Sequence, residues 1–264
     1  MSDSSRAVEY DVKVLQKWLT ILREYVGDSA SIQGKTVLEL GPGPDLGIGI
    51  LCLAEGAHQY NAIDVNNLVR HAPSGFYEAL FERIQIDERY RQVDIHHLRS
   101  QLALTQEGRN DRINYVCNND FDLSVFAGQR IDLVVSQAAF EHFDDVEGTI
   151  SQLGDVVDTG ALFVAEVDLR THTRWIRDVD PLNIYRYSDF IYDLFRFRGS
   201  PNRIRPTEYR ALLEKHGWVN VKVLPLTRLE GQYFDGIYKQ LHSRFRTPDS
   251  QMDWLTVVIC ATKK

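Results

Sequence analysis

Three stretches of this 264-residue sequence predict an open α/β fold with a mostly parallel sheet. The first is Thr36-Val-Leu-Glu-Leu-Gly-Pro-Gly43, where strand-forming residues run straight into a turn holding two glycines one residue apart. The second is Tyr60-Asn-Ala-Ile-Asp-Val65, an apolar run carrying an acid, Asp64, near its end. The third is Ile131-Asp-Leu-Val-Val-Ser136, nearly continuous in apolar character, as a parallel strand buried on both faces should be. Glycines at such a turn let a ligand approach the backbone because no Cβ intervenes. An acid at the end of the next strand can accept both hydroxyls of a ribose.

The glycine spacing narrows the ligand. A dinucleotide fingerprint reads G-x-G-x-x-G, with the third glycine closing helix against strand. In Gly41-Pro-Gly43-Pro-Asp-Leu-Gly47 the next glycine comes one position too late. No Lys-Ser/Thr pair follows, so a phosphate-cradling P-loop is excluded as well. Glu39, two residues before the first glycine, can pair at a strand end with a cationic amino-acid group.

Acid, glycine pair and ribose acid together resemble the S-adenosylmethionine site of class I methyltransferases, over roughly residues 34 to 168. Asp45 departs from the pattern, since many members carry a third glycine there. The resemblance implies a Rossmann-like seven-stranded sheet, mostly parallel, with an antiparallel C-terminal strand pair. S-adenosyl-L-methionine is the implied cofactor and a small molecule the implied acceptor.

The elements follow in order. Val8 to Val26 has the 3-4 spacing of a helix, through Val12, Leu15, Trp18, Leu19 and Leu22. Thr36 to Leu40 is the first strand, Leu46 to Gly56 a helix facing the ligand with its N-terminus, and Tyr60 to Val65 the second strand. Asn66 to Asp111 exceeds an ordinary connection of this fold and is read as a helical insertion, either a substrate lid or else cladding of the sheet or a subunit contact. Ile113 to Cys117 is the third strand, Ile131 to Ser136 the fourth, Val146 to Val157 a helix and Ala161 to Val167 the fifth strand, with Asp158-Thr-Gly160 as the turn before it. Leu169 to Pro206, rich in Arg, Tyr and Phe, is a second insertion, helical across Ser188 to Phe195. A helix over Glu208 to His216, started after Pro206-Thr207 and stopped by Gly217, precedes strands at Trp218 to Leu226 and Leu255 to Thr262. The whole reads as a single domain, 1–264, with insertions at about 66–111 and 169–206.

Composition is that of an ordinary globule, 44% hydrophobic and 25% charged. A net charge of −7 argues against a nucleic-acid binder held by a general electrostatic footprint. Cys52, Cys117 and Cys260, odd in number and near apolar runs, read as buried thiols of a cytoplasmic protein, not as a disulfide framework. No secretory h-region opens the chain, and no run reaches the ~18 apolar residues of a membrane span. The expected partner is therefore a small-molecule acceptor, with neither nucleic acid nor membrane; a homo-oligomer stays open.

Site residues are carried over from the resemblance by position. Glu39, Gly41, Pro42 and Gly43 fall on the first motif, and Asp64-Val65 on the ribose acid. Asp120 and Phe121 fall on the adenine contact, through the carboxylate and the next backbone N–H. Ser136 and Gln137, ending the fourth strand, fall on the contact to the methionine part. The segment that follows borders the transferred methyl in this family, which makes Glu141 and His142 the catalytic candidates. His142 can act as a general base or merely order its loop. Some methyltransferases bind Mg²⁺ through Glu-x-x-Glu-His here. Ala138 stands where the first Glu should be, so no metal is expected, although Asp168 and His172 could supply replacement ligands.

On the acceptor side, Asp168, Arg170, His172, Tyr185, Tyr187, Arg203 and Arg205 are the candidates. The arginines can fork onto a phosphate or carboxylate, or else pair with acids of the same chain; the tyrosines can stack on a ring. The expected reaction is methylation of a small polar acceptor, for instance a sugar or nucleotide-sugar hydroxyl. The alternatives are a natural-product or protein side-chain acceptor, and a non-catalytic nucleoside-binding module.

Overall fold

A computed structural model describes residues 3–27 and 30–264. The chain opens with α1 (Asp3–Val26), whose buried stripe runs through Val8, Asp11, Val12, Leu15, Trp18 and Leu22. Then come β1 (Thr36–Leu40), α2 (Gly47–Ala54), β2 (Gln59–Asp64), α3 (Phe76–Ile86), α4 (Ile95–Gln106), β3 (Ile113–Cys117) and β4 (Ile131–Gln137). They are followed by α5 (Val146–Val156), β5 (Val157–Asp168), α6 (Arg174–Arg177), α7 (Asp189–Phe195), α8 (Pro206–Lys215), β6 (Trp218–Arg228), α9 (Gly231–Tyr238) and β7 (Trp254–Lys263).

The seven strands are ordered β3-β2-β1-β4-β5-β7-β6 in one sheet. β1 pairs in parallel with β2 on one side (Leu38 against Asn61) and with β4 on the other (Glu39 against Val135). Strand order therefore reverses at β1, and ligands of open α/β sheets bind beyond the carboxyl ends of strands at such a point. β6 and β7 form the expected antiparallel pair, Val223 opposite Ile259. Packing divides the chain into two compact units, Met1–Gln137 with Asp155–Val164, and Ala138–Gly154 with Ala165–Lys264.

In the first unit, β1 is buried at every position. Asp132 of β4 fixes its start by accepting from the Thr36 N–H at 2.8 Å. α2 lies close on β2 because Gly49 has no side chain: a Cβ there would sit 2.5 Å from Tyr60 Cε1. In the second unit, Leu182, Tyr185, Ile237, Leu241, Phe245 and Met252 form an apolar cluster.

The structure corrects two expectations. Asp158-Thr-Gly160 is not a turn, because α5 hands over to β5 at Val157 and Gly160 sits within the strand at φ 84°. Cys117 is exposed at the end of β3, unlike buried Cys52 and Cys260. Within the Asn66 to Asp111 segment, α3 packs on α1 and α2, and α4 on α2 and β3. No helix among the described residues is long and apolar enough to cross a membrane.

Candidate active site

The glycine turn has the geometry its sequence requires. Gly41 and Gly43 have φ of 73° and 80°, the left-handed region that an L side chain rarely enters. A Cβ on Gly43 would point into space with no atom within 4 Å. Glu39 is 1% exposed and its Oε2 accepts from Tyr60 Oη at 2.5 Å. Burial pushes its carboxyl up to about 8. Asp64 ends β2, and its Oδ1 accepts from the Asn66 N–H at 2.9 Å. Burial raises it too, against backbone N–H bonds from Asn66, Gly43 and Val65 that favour the carboxylate. Val65 and Pro42 are half-buried beside these groups in sequence. Ser136 is fully buried and its Oγ donates to the Leu40 carbonyl at 3.0 Å, tying the ends of β4 and β1 together. Gln137 keeps a buried Oε1 with no hydrogen-bond partner.

An adenosyl amino acid suits these residues: open backbone at Gly43, a strand-end acid for the ribose and buried carboxyls near the turn for a cation. The adenine contact is less direct. Asp120 is exposed, and the Phe121 N–H already donates to the Asn118 carbonyl at 3.0 Å. Phe121 therefore does not offer that N–H to a ring, as the resemblance implied; the tight turn after β3, which puts Phe121 at φ 51°, uses it first.

The structure also contains an acid that the sequence reading missed. Asp11 of α1 is 5% exposed; no N–H or hydroxyl group donates to its Oδ2, and its carboxyl pairs with that of Asp45. Its position on the apolar stripe, at helical spacing from Val8 and Leu15, was the available signal.

In the second unit, Glu141, His142 and His172 each offer a ligand atom, and the three atoms lie within 4.8 Å of one another. Glu141 is 1% exposed. Its Oε1 accepts from the Asp168 N–H at 3.2 Å, and its Oε2 has no partner. Burial, then the nearby Asp168 and Glu166, push its carboxyl up to about 8. His142 Nδ1 lies 2.5 Å from the Gly199 carbonyl. A carbonyl only accepts, so Nδ1 carries the proton and Nε2 the lone pair of the neutral ring. The His172 ring meets it edge-on at 4.7 Å between centroids. Burial, then His142, lowers the His172 pKa, and its Nε2 has no hydrogen-bond partner. The set could hold a divalent cation as well as a proton: a metal-bound histidine commonly donates its other N–H to a carbonyl, as His142 does.

The remaining acceptor candidates divide. Asp168 accepts a fork from Arg170, with Nε to Oδ1 at 2.8 Å and Nη2 to Oδ2 at 2.7 Å. Burial would raise the Asp168 carboxyl, but Arg170 holds it below the ordinary range. Tyr187 is exposed and, with His172, lines a cavity of about 570 Å³. Tyr185, Arg203 and Arg205 have other work. Tyr185 is buried and its hydroxyl donates to the Leu169 carbonyl. Arg203 donates to the carbonyls of Ile184 and Tyr187 and to Asp189, with its guanidinium 4.1 Å over the Tyr192 ring. Arg205 donates to the carbonyls of Ser250, Gln251 and Trp254 and to Tyr185 Oη. Neither arginine holds out a fork for an anion, because backbone carbonyls, Asp189 and the Tyr185 hydroxyl take those N–H groups. Ala138 and Arg203, at φ 49° and 61°, join Phe121 as non-glycine residues in left-handed conformations within the segments assigned to the site.

Comparison with solved structures supports the same architecture. Haemonchus contortus phosphoethanolamine N-methyltransferase 2, in complex with phosphomonomethylethanolamine and S-adenosylhomocysteine, matches at a TM-score of 0.51 and 15% identity, over 94% of this chain and 52% of that one. A Listeria monocytogenes protein assigned as an S-adenosylmethionine dependent methyltransferase matches at a TM-score of 0.50 and 15% identity, over 93% and 97%. The chain spans about half the length of the first solved structures it matches. No curated protein matches the sequence. A family model described as a methyltransferase domain matches residues 10–223, most of the chain and all of the strands from β1 to β5. The chain thus belongs to the methyltransferase-domain family.

Proposed function

We propose that this chain methylates the hydroxyl oxygen of a small acceptor with a flat or apolar body, with His142 as the base. When bound, S-adenosylmethionine supplies an electrophilic methyl group on its sulfonium. Glu39, Gly41, Gly43 and Asp64 would hold it, the last through the ribose hydroxyls. Asp64→Ala should weaken cofactor binding by ~1.5–3 kcal/mol, the range for hydrogen bonds to a charged group. Calorimetry measures this directly, and tight NAD binding without a response to S-adenosylhomocysteine would sink the assignment.

The cavity supports the acceptor part of the reading. His172 sits in its wall beside Ile184, Tyr187, Ile191, Tyr192 and Phe197. Apolar walls with a few polar groups suit a ligand whose body is apolar and whose reactive atom is polar. A sugar or nucleotide sugar was expected because of Arg170, Arg203, Arg205, Tyr185 and Tyr187; Arg170 is forked onto Asp168, and the polar atoms of Arg203, Arg205 and Tyr185 are engaged within the fold. With its Nδ1 side against the Gly199 carbonyl, His142 would turn its Nε2 lone pair to the proton of an acceptor hydroxyl. Glu141, held to the Asp168 N–H, fixes the turn that carries His142. A second reading is favoured by the three close donor atoms: a divalent cation at Glu141, His142 and His172 would activate the acceptor oxygen instead.

One assay separates these. Labelled S-adenosylmethionine is offered with phenols and long-chain alcohols, and in parallel with sugars and nucleotide sugars, each with and without chelator. Label on the phenols or alcohols that survives chelator is expected. Label on sugars alone overturns the apolar body. Loss with chelator and recovery with Mn²⁺ or Mg²⁺ establishes the metal reading. Cofactor binding with no acceptor labelled, in this panel or in cell extract, leaves a nucleoside-binding module.

A further inference from the structure

The first turn of α2 is flanked by two acids, Asp45 and Asp11. Asp45 is 7% exposed, and its Oδ1 accepts from the Gly47 N–H at 2.9 Å. Asp11 reaches the same place from α1. A Cβ built on Gly47 would sit 2.0 Å from Asp11 Oδ2 and 3.1 Å from Asp45 Oδ1. The two carboxyl groups thus flank one backbone point, which explains why residue 47 carries no side chain. Glu39 lies at the end of β1, two residues before the turn, as a third buried acid.

The groups that face this cluster from each packed element are weak acids or already paired. β2 supplies Tyr60, which donates to Glu39, and α2 supplies Cys52, whose thiol burial and Glu39 push up. α3 supplies Tyr77, whose hydroxyl accepts from the Leu46 N–H at 3.2 Å. α3 also presents Arg83 to α1, but that guanidinium is held by Glu9 at 2.9 Å and Asp87 at 2.8 Å. Burial raises Asp11 first, and then Asp45 and Glu39 raise it further. Burial likewise raises Asp45 and Glu39. Without a cation the cluster is balanced by protons, because several buried carboxyls this close cannot all ionise.

We propose that Asp11 and Asp45, with Glu39, form a proton-holding pocket for the ammonium of the cofactor's amino-acid tail, and that binding expels a proton to solvent. The inference rests on the S-adenosylmethionine reading of this turn and adds to it Asp11, which lies outside the glycine motif. The cation does what the protons did, so a carboxyl loses its proton as the ammonium arrives, and the ammonium itself stays charged.

Two consequences follow for the protein. Cofactor affinity should fall as pH falls, by up to about tenfold per pH unit for one displaced proton. The cofactor-free protein should behave in the opposite sense. Its raised carboxyls hold protons that the unfolded chain has already released. Stability is therefore lost as pH rises from the ordinary carboxylate range through about 8, the value for Glu39.

Calorimetry near pH 7 in two buffers of different ionisation enthalpy counts the protons. Wild-type protein should release about one per S-adenosylmethionine bound. 5′-Methylthioadenosine, the same nucleoside without the amino-acid tail, should bind with none released. Asp11→Asn, with Asp45→Asn as the second variant, should remove most of the release and flatten the pH dependence. Asp11→Asn should also lose part of the alkaline fall in melting temperature of the cofactor-free protein. Asp64→Ala should bind more weakly yet keep the proton count. Wild-type binding with no proton exchange, or a full count retained in both Asn variants, overturns the proposal. If neither S-adenosylmethionine nor 5′-methylthioadenosine binds, the cofactor reading itself has failed.

Discussion

His142→Ala should lower the methylation rate by roughly 10²–10⁴-fold, the usual contribution of a general base. That is about 3–5 kcal/mol of transition-state stabilisation, since each 1.36 kcal/mol is tenfold in rate. The loss should fall on kcat, because the residue acts on a proton that moves only in the reaction. Cofactor affinity should barely change, since the proposed cofactor contacts are Glu39, Gly43 and Asp64. The variant should also remain folded. The Phe140–His142 turn is held independently, by Asn202 Nδ2 donating to the Phe140 carbonyl at 2.9 Å and the Asn202 N–H donating to the Glu141 carbonyl at 2.7 Å. A loop anchor and a base therefore make opposite forecasts. An anchor would cost stability and spare the rate of the protein that remains folded. If His142→Ala keeps near-full activity and chelator does nothing, catalysis is by positioning alone.

The cofactor end of the molecule was legible because it is local. Strand, turn and ribose acid occupy fixed offsets at strand ends, so β1, Gly41, Gly43 and Asp64 follow from pattern alone, and the structure keeps β1 at Thr36–Leu40. Asp11 was not legible from the motif, because it meets Asp45 only through the packing of α1 on α2. Its one trace was an acid on an otherwise apolar helix face, and an acid there must be partnered, protonated or functional. The acceptor end was misjudged for a different reason. Sequence shows that Arg203 and Arg205 carry charge but not where their N–H groups point, and the partners that claim Arg205 lie at Ser250 to Trp254, far along the chain. The candidate pair Glu141-His142 was picked out by position, whereas the approach of His142 to His172 depends on how the segment after β5 returns to the turn after β4.

Arg205 supplies the largest stability effect. It is 1% exposed, an unusual place for a guanidinium, and four N–H bonds compensate its burial. Three go to the carbonyls of Ser250, Gln251 and Trp254, which fasten the chain leading into β7 to the start of α8. At that start, the Arg205 N–H donates to Glu208 Oε2 at 2.8 Å, capping the helix that Pro206 opens. Arg205→Ala removes every side-chain donor at once and leaves three carbonyls short of partners in a dry setting. Each orphaned group costs about 1–3 kcal/mol before water returns. The expected loss is ~3–5 kcal/mol, at the top of the range for single substitutions. Arg205→Lys should recover only part of it, since an ammonium cannot span three carbonyls and a hydroxyl in a planar fork. Urea unfolding measures this as a drop in midpoint with little change in slope. If Arg205 instead grips an anionic acceptor, the midpoint will stay put and KM will rise. The two roles exclude each other physically, because a buried guanidinium with four of its five N–H groups taken by three carbonyls and a hydroxyl has no pair left to fork onto a phosphate.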